Sequence, residues 1–134
     1  MDDDETRDLA TTPLHLGLGG IAVPLDGFAW DPAYLADMEL RFAPDGDEGR
    51  LVTLGEMDTS CDSWERHPAG EEVVLCLDGR CRLWQDLGGE ERSVDLVAGR
   101  YVVNPAGVWH TADIDEPVRV LFITPGRGTE HRPR

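Results

Sequence analysis

Eight short apolar runs, at 39–43, 50–57, 72–77, 81–87, 93–97, 100–103, 108–114 and 117–124, fill the chain from residue 39 onward. Turn residues separate them: Pro44-Asp45-Gly46-Asp47, Asp78-Gly79, Gly88-Gly89, Ala98-Gly99, Pro105-Ala106-Gly107 and Asp115-Glu116-Pro117. Glycine opens backbone angles closed to other residues and proline fixes φ, so each cluster forces a change of direction. Many short runs with tight turns predict an all-β sandwich or barrel with little helix. One helical start stands upstream. Asp31 as N-cap and Pro32 at the first helical position predict one or two turns over 32–38.

The rest divides around that body. Residues 1–12 are acidic and without periodicity, and read as disordered. Residues 13–38 form an arm carrying Leu14, Leu16, Leu18, Ile21, Val23, Phe28 and Trp30, apolar enough to dock on the body at 39–125. Residues 126–134 make a polar, basic tail that either lies across the acidic body or stays mobile.

Two segments carry chemistry. Gly99–His110, GRYVVNPAGVWH, reads as a short strand, a Pro-x-Gly turn and a histidine opening the next strand. Glu65–Glu72, ERHPAGEE, gathers a carboxylate, an imidazole and two further carboxylates within eight positions. Glu65 and His67 are two apart and share a face of an extended strand. Two histidines and glutamates on β structure make a first shell for a divalent transition metal. The candidate ligands are His67, Glu72 and His110, with Glu65 as fourth ligand or as a general base beside the metal. Glu71 competes for the carboxylate role, but Glu72 has the parity of Val74 and Cys76, and Glu71 is expected on the solvated rim.

Both segments resemble the two motifs of the cupin superfamily. The second motif runs G-x5-P-x-G-x2-H-x3-N. Gly99, Pro105, Gly107 and His110 take its first four fixed positions, and Ile114 stands where Asn is expected. The first runs G-x5-H-x-H-x3,4-E-x6-G. His67, Glu72 and Gly79 fit its second His, its Glu and its closing Gly, while Glu65 replaces the first His and Thr59 the opening Gly. The resemblance covers roughly residues 40–125 and implies a jelly-roll β-barrel, a metal site and a homodimer. Glu65 in place of His adds a hard anionic oxygen. That tilts a site open to Fe, Mn, Ni or Zn toward Fe or Mn.

Composition excludes some classes. A formal net charge of −15 argues against nucleic acid and anionic membrane surfaces, which demand a basic footprint. No apolar run approaches a membrane span. The start MDDDETRD lacks the apolar core of a secretory signal, so a cytoplasmic protein is expected. Cys61, Cys76 and Cys81 are odd in number and read as reduced, buried thiols. A two-residue hairpin at Asp78-Gly79 would set Cys76 opposite Cys81, which leaves a redox pair open, and Cys76 on Glu72's side of the barrel leaves a thiolate ligand open.

From Glu72 onward, Val74 and Cys76 share one strand face, and Val73, Leu75 and Leu77 the other. A strand apolar on both faces is covered on both sides. The second cover is the arm or a second subunit, so a homodimer is expected. Trp64, Trp84, Trp109, Tyr101 and Phe122 are candidate pocket walls or core. Trp109 and Arg66 point away from the ligands by alternation, and His15 and His131 read as surface residues. The reading that results is a metal-dependent enzyme acting on a small molecule by dioxygenation, isomerisation or decarboxylation. The alternative is a non-catalytic small-ligand binding or sensing module, and last an apolar barrel without metal.

Overall fold

The computed structural model describes residues 6–134. Of the acidic segment 1–12, residues 1–5 lie outside the described residues, and the remainder ends in a turn where the Asp8 carbonyl accepts from the amides of Thr11 and Thr12.

The eleven strands of the described residues follow the turn residues. They are β1 (Leu14–Leu16), β2 (Ala22–Pro24), β3 (Arg50–Met57), β4 (Ser63–Arg66), β5 (Glu72–Asp78), β6 (Arg80–Asp86), β7 (Glu91–Val97), β8 (Tyr101–Asn104), β9 (Trp109–Asp113), β10 (Val118–Pro125) and β11 (Glu130–Pro133). A six-stranded sheet runs β2-β1-β3-β10-β5-β8 and a five-stranded sheet runs β11-β4-β9-β6-β7. From β3 to β6 each strand lies in the opposite sheet to the one before it, which is the jelly-roll path. The two sheets enclose the core without closing on each other.

Helix α1 spans Pro32–Arg41. The Asp31 side chain accepts from the Tyr34 amide at 2.7 Å, satisfying one of the orphan donors of the first turn. The helix runs past residue 38, so the strand expected at 39–43 does not form. Glu39, Leu40 and Arg41 are good helix formers that extend a capped start, and an apolar run of that length fits either element.

Asp78-Gly79 is also not a hairpin. β5 pairs with β10 and β8 while β6 pairs with β7 and β9, so this dipeptide is the corner where the chain changes sheet. Gly79 has φ +81°, and a Cβ there would stand 2.5 Å from the Pro117 carbonyl, so only glycine lets the corner pack on the next turn. Cys76 and Cys81 are therefore not cross-strand partners. Both are free thiols in the main apolar cluster, with Val74, Leu83, Leu96, Ala112, Ile114, Val118 and Val120. Burial pushes the Cys81 thiol up to about 11 and raises Cys76 as well. Both stay protonated near neutrality, which removes the thiolate that redox chemistry between them would need.

Burying such side chains is worth roughly 1.5–3 kcal/mol each relative to exposure. Ile114, which departs from the second motif's Asn, is part of this cluster and 5 % exposed. The tail is ordered against the body. β11 pairs with β4, and Arg134 bonds Asp113 and the Cys61 and Ala112 carbonyls. The apolar cluster fills one end of the molecule and polar residues gather at the other.

Candidate metal centre

Directly opposed residues of an antiparallel pair share a face, so register assembles one side of the site. In the five-stranded sheet His131 opposes Glu65, Glu65 opposes His110, His110 opposes Gln85, and Gln85 opposes Arg92. This single line crosses all five strands. His67 follows β4 by one residue and is two from Glu65, so it shares Glu65's face. In the other sheet Glu72 opposes Asn104. The Pro105-Ala106-Gly107 turn ties the two segments together, because the Gly107 amide donates to the His67 carbonyl at 3.1 Å.

Glu65, His67 and His110 each offer a ligand atom within 4.8 Å of the others. Glu72 joins them from across the interior. Its Oε2 is 3.2 Å from His67 Nε2 and its Oε1 is 3.4 Å from His110 Nε2, while Glu65 Oε1 is 3.0 Å from His67 Nε2. All four residues expected from the sequence thus meet in one place. Both Nε2 atoms are buried and neither makes a hydrogen bond of good geometry, although carboxylate oxygens stand close by. Buried polar atoms are nearly always satisfied. Two that are not, aimed into the same gap between two carboxylates, form a donor set that fits a divalent cation.

The charges agree. Burial alone would drive the His67 imidazole down, but the close carboxylates of Glu65 and Glu72 outweigh it and raise His67 to about 9. Burial works to raise both glutamates, and the imidazoles overcome it, leaving each below the usual carboxylate range; His131 helps at Glu65 and Thr124 at Glu72. His110 is lowered, first by burial and then by the His67 charge, against the pull of Glu72.

Outer partners orient the ligand atoms. His67 Nδ1 is hydrogen-bonded to Thr129 Oγ1 at 2.9 Å, which turns Nε2 toward the gap. Thr124 Oγ1 donates to Glu72 Oε2 at 2.7 Å and Asn104 Nδ2 donates to Oε1 at 3.1 Å. Behind Asn104 lies a chain of fixed direction. Arg92 Nε can only donate, and donates to Gln85 Oε1 at 3.0 Å. Gln85 Nε2 donates to Asn104 Oδ1 at 2.8 Å and to the Val103 carbonyl at 3.1 Å. Both amides are thereby oriented, and Glu72 is left accepting on both oxygens.

A cavity of about 640 Å³ opens from this cluster. Its polar lining includes Glu65, His67, Glu72, Thr124, Thr129 and His131, with Glu39, Arg50 and Arg127 also reaching it. Its walls include Trp30, Leu35, Met38, Phe42, Leu51 and Phe122. Among the aromatic residues expected at a pocket only Phe122 lines it. Trp109 faces outward between the guanidinium groups of Arg66 and Arg132, each 4.6 Å from its ring, and Tyr101 is 68 % exposed. Trp64 lies under Arg132, and Trp84 Nε1 donates to Asp113.

Both histidines expected at the surface line the cavity, but only His131 is exposed. His15 is buried, with Nε2 2.7 Å from Asp45 Oδ2 and its ring stacked on Phe42 at 3.6 Å, and it lines the cavity. Its burial is tolerable because Asp45 supplies the partner a polar ring requires. His131 is exposed but not idle, with Nε2 2.7 Å from Glu65 Oε2. Cys76 is four residues along β5 from Glu72, about 13 Å at roughly 3.3 Å per residue, and its thiol contacts the carbonyls of Asp78 and Gly79. Glu71 is exposed.

No curated protein matches the chain. Among solved structures, a conserved protein with a double-stranded β-helix domain from Klebsiella pneumoniae is 21 % identical, with TM-score 0.52 over 63 % of this chain and 76 % of its own. The Mn(II)-containing oxalate decarboxylase of Bacillus subtilis is 18 % identical, with TM-score 0.53 over 71 % of this chain, which spans only 26 % of that enzyme. A hydroquinone 1,2-dioxygenase bound to Cd2+ and 4-hydroxybenzonitrile is 16 % identical, with TM-score 0.50 over 59 % of each chain. At these identities the likeness concerns the fold. The cupin-domain family model matches residues 45–124, the stretch that carries both segments of the site, and the chain therefore belongs to the cupin domain family.

Proposed function

We propose that this cupin holds a divalent metal on His67, Glu72, His110 and Glu65 and acts as an enzyme on a small molecule within the cavity. The observation that carries this reading is the pair of buried, unbonded Nε2 atoms of His67 and His110 converging on two carboxylates. Two imidazoles beside two carboxylates favour Fe(II) or Mn(II). A metal held there would supply a Lewis acid to an oxygen donor of the substrate. Glu72 is held ionised and oriented by Thr124 and Asn104. Glu65 is the more accessible carboxylate, and its hydrogen bond to His131 at the cavity wall gives a proton taken from substrate an exit toward solvent.

An exchangeable metal position separates enzyme from closed-shell binder. Co(II)-loaded protein is expected to change its visible bands on adding azide. Bands that form but ignore azide would leave a non-catalytic binding module.

The outer chain has its own expected effect. Arg92→Met frees Gln85 to turn over, so Asn104 no longer presents its NH2 to Glu72. Loss of such an outer partner costs ~10–100-fold in metal affinity. Titration calorimetry with Mn(II) should show that loss, and Arg92→Lys, which still only donates, should recover most of it.

A second copy of the chain belongs on the outer face of the six-stranded sheet. Val73, Leu75 and Leu77 of β5 lie there beside Tyr101 and Val103 of β8, and Leu77, Tyr101 and Val103 are exposed. Contiguous exposed apolar surface of this kind supports association. Light scattering after gel filtration should give the mass of two chains, and Tyr101→Glu should give one.

A further inference from the structure

We infer that the cavity selects a ring-bearing, neutral or weakly acidic oxygen ligand, such as a phenol, enol or hydroxamate, over a small dicarboxylate. This rests on the metal reading above and deepens it.

The first support is charge. A divalent cation beside ionised Glu65 and Glu72 and two neutral imidazoles sums to zero, whether Glu65 ligates or stands next to the ion. A neutral centre, in a protein of net charge −15, gives a dianion little to gain. It accommodates a neutral oxygen donor, or one that loses a single proton as it binds.

The second support is shape. The residues that would hold the metal are part of the cavity lining, and beside the charged Glu39, Arg50 and Arg127 its largely apolar walls carry three aromatic rings from separate elements: Trp30 from the arm, Phe42 after α1, and Phe122 from β10. Two of these rings are held in place before any ligand arrives. Phe42 stacks on the buried His15 at 3.6 Å. Phe122 lies so close to Gly55 that a Cβ there would stand 3.0 Å from its Cε2. Preset aromatic walls favour a flat apolar body, because stacking and area burial then cost no rearrangement. At about 640 Å³ the space exceeds the needs of a two-carbon acid and falls within the range of drug-sized ligand pockets.

A matched pair of probes tests this. Benzohydroxamate and acetohydroxamate carry the same metal-binding head and differ by a ring. Oxalate supplies the small dianion. Each is titrated into Co(II)-loaded full-length protein and followed by the visible bands. Benzohydroxamate should bind about tenfold or more tightly than acetohydroxamate, since one methylene in an apolar pocket is already worth ~10–200-fold, and oxalate should bind weakest. Phe122→Leu and Trp30→Ala should each reduce the ratio of benzohydroxamate to acetohydroxamate affinity. Trp30 is 70 % exposed, so its replacement leaves folding intact.

Equal binding of the two hydroxamates, or tightest binding of oxalate, would overturn the inference and leave the metal centre standing. Failure of Co(II) to bind at all, seen as no visible bands, would overturn both.

Discussion

Glu72→Gln lowers Mn(II) affinity by more than ~100-fold, beyond what loss of an outer partner costs. Glu72 is 3 % exposed, and its two oxygens face both ligand imidazoles from the opposite sheet. The amide keeps the shape but removes the charge. It also fits its surroundings poorly, because Asn104 Nδ2 and Thr124 Oγ1 both donate toward it. One of those donors then meets an NH2 group, and the ligand atom loses its fixed orientation. Calorimetric titration of the variant beside wild type checks this, with circular dichroism to confirm folding. An affinity within threefold of wild type would remove Glu72 from the centre and return the carboxylate role to Glu65 alone.

Metal uptake is expected to release about one proton per ion near pH 7.5. In the metal-free protein His67 is raised to about 9 by Glu65 and Glu72, so at that pH its Nε2 carries a proton that metal must displace. Apparent affinity should rise about tenfold per pH unit from roughly pH 6.5 to 8.5 and flatten above about 9. The sign for stability is opposite. A histidine raised above its unfolded value of 6.5 stabilises the metal-free fold fully below that value, and the contribution fades as pH climbs through 9. The lowered glutamates contribute above their ordinary value of 4.5 and lose their contribution as pH falls. The metal-free protein is therefore most stable on the acid side of this window, and metal gives its largest gain on the basic side. Calorimetry at pH 7.5 in two buffers of different ionisation enthalpy counts the protons, and uptake without release would contradict the His67 assignment.

The β-body was legible because its turns are written in glycine and proline. The runs at 50–57, 72–77, 81–87 and 117–124 form β3, β5, β6 and β10 nearly residue for residue. Three features were harder to read. The run at 39–43 is helical, since an apolar stretch of that length has no decisive period, and the Asp31 cap carries the helix through it. The Asp78-Gly79 corner has the composition of a hairpin, and it is a crossing because β5 finds its partners in one sheet and β6 in the other. β1, β2 and β11 are three or four residues long and take their conformation from the strands they pair with.

At the site, Glu65 and His110 share a rung of one sheet, His67 shares Glu65's face by parity, and Glu72 joins them from the other sheet. Their surroundings did not emerge, because Arg92, Gln85 and Asn104 become neighbours only through pairing in two different sheets. His15 and Trp30 reach the cavity by the folding back of the arm, for which the apolar content of residues 13–30 was the available signal.

Elemental analysis of protein purified without a histidine tag and without added metal, beside His110→Ala, addresses the centre most directly. Near-stoichiometric Fe or Mn in the wild-type protein, lost in a folded His110→Ala variant, is the expected result. No metal after anaerobic reconstitution, or equal metal in the variant, would contradict a centre built on His67, Glu72 and His110.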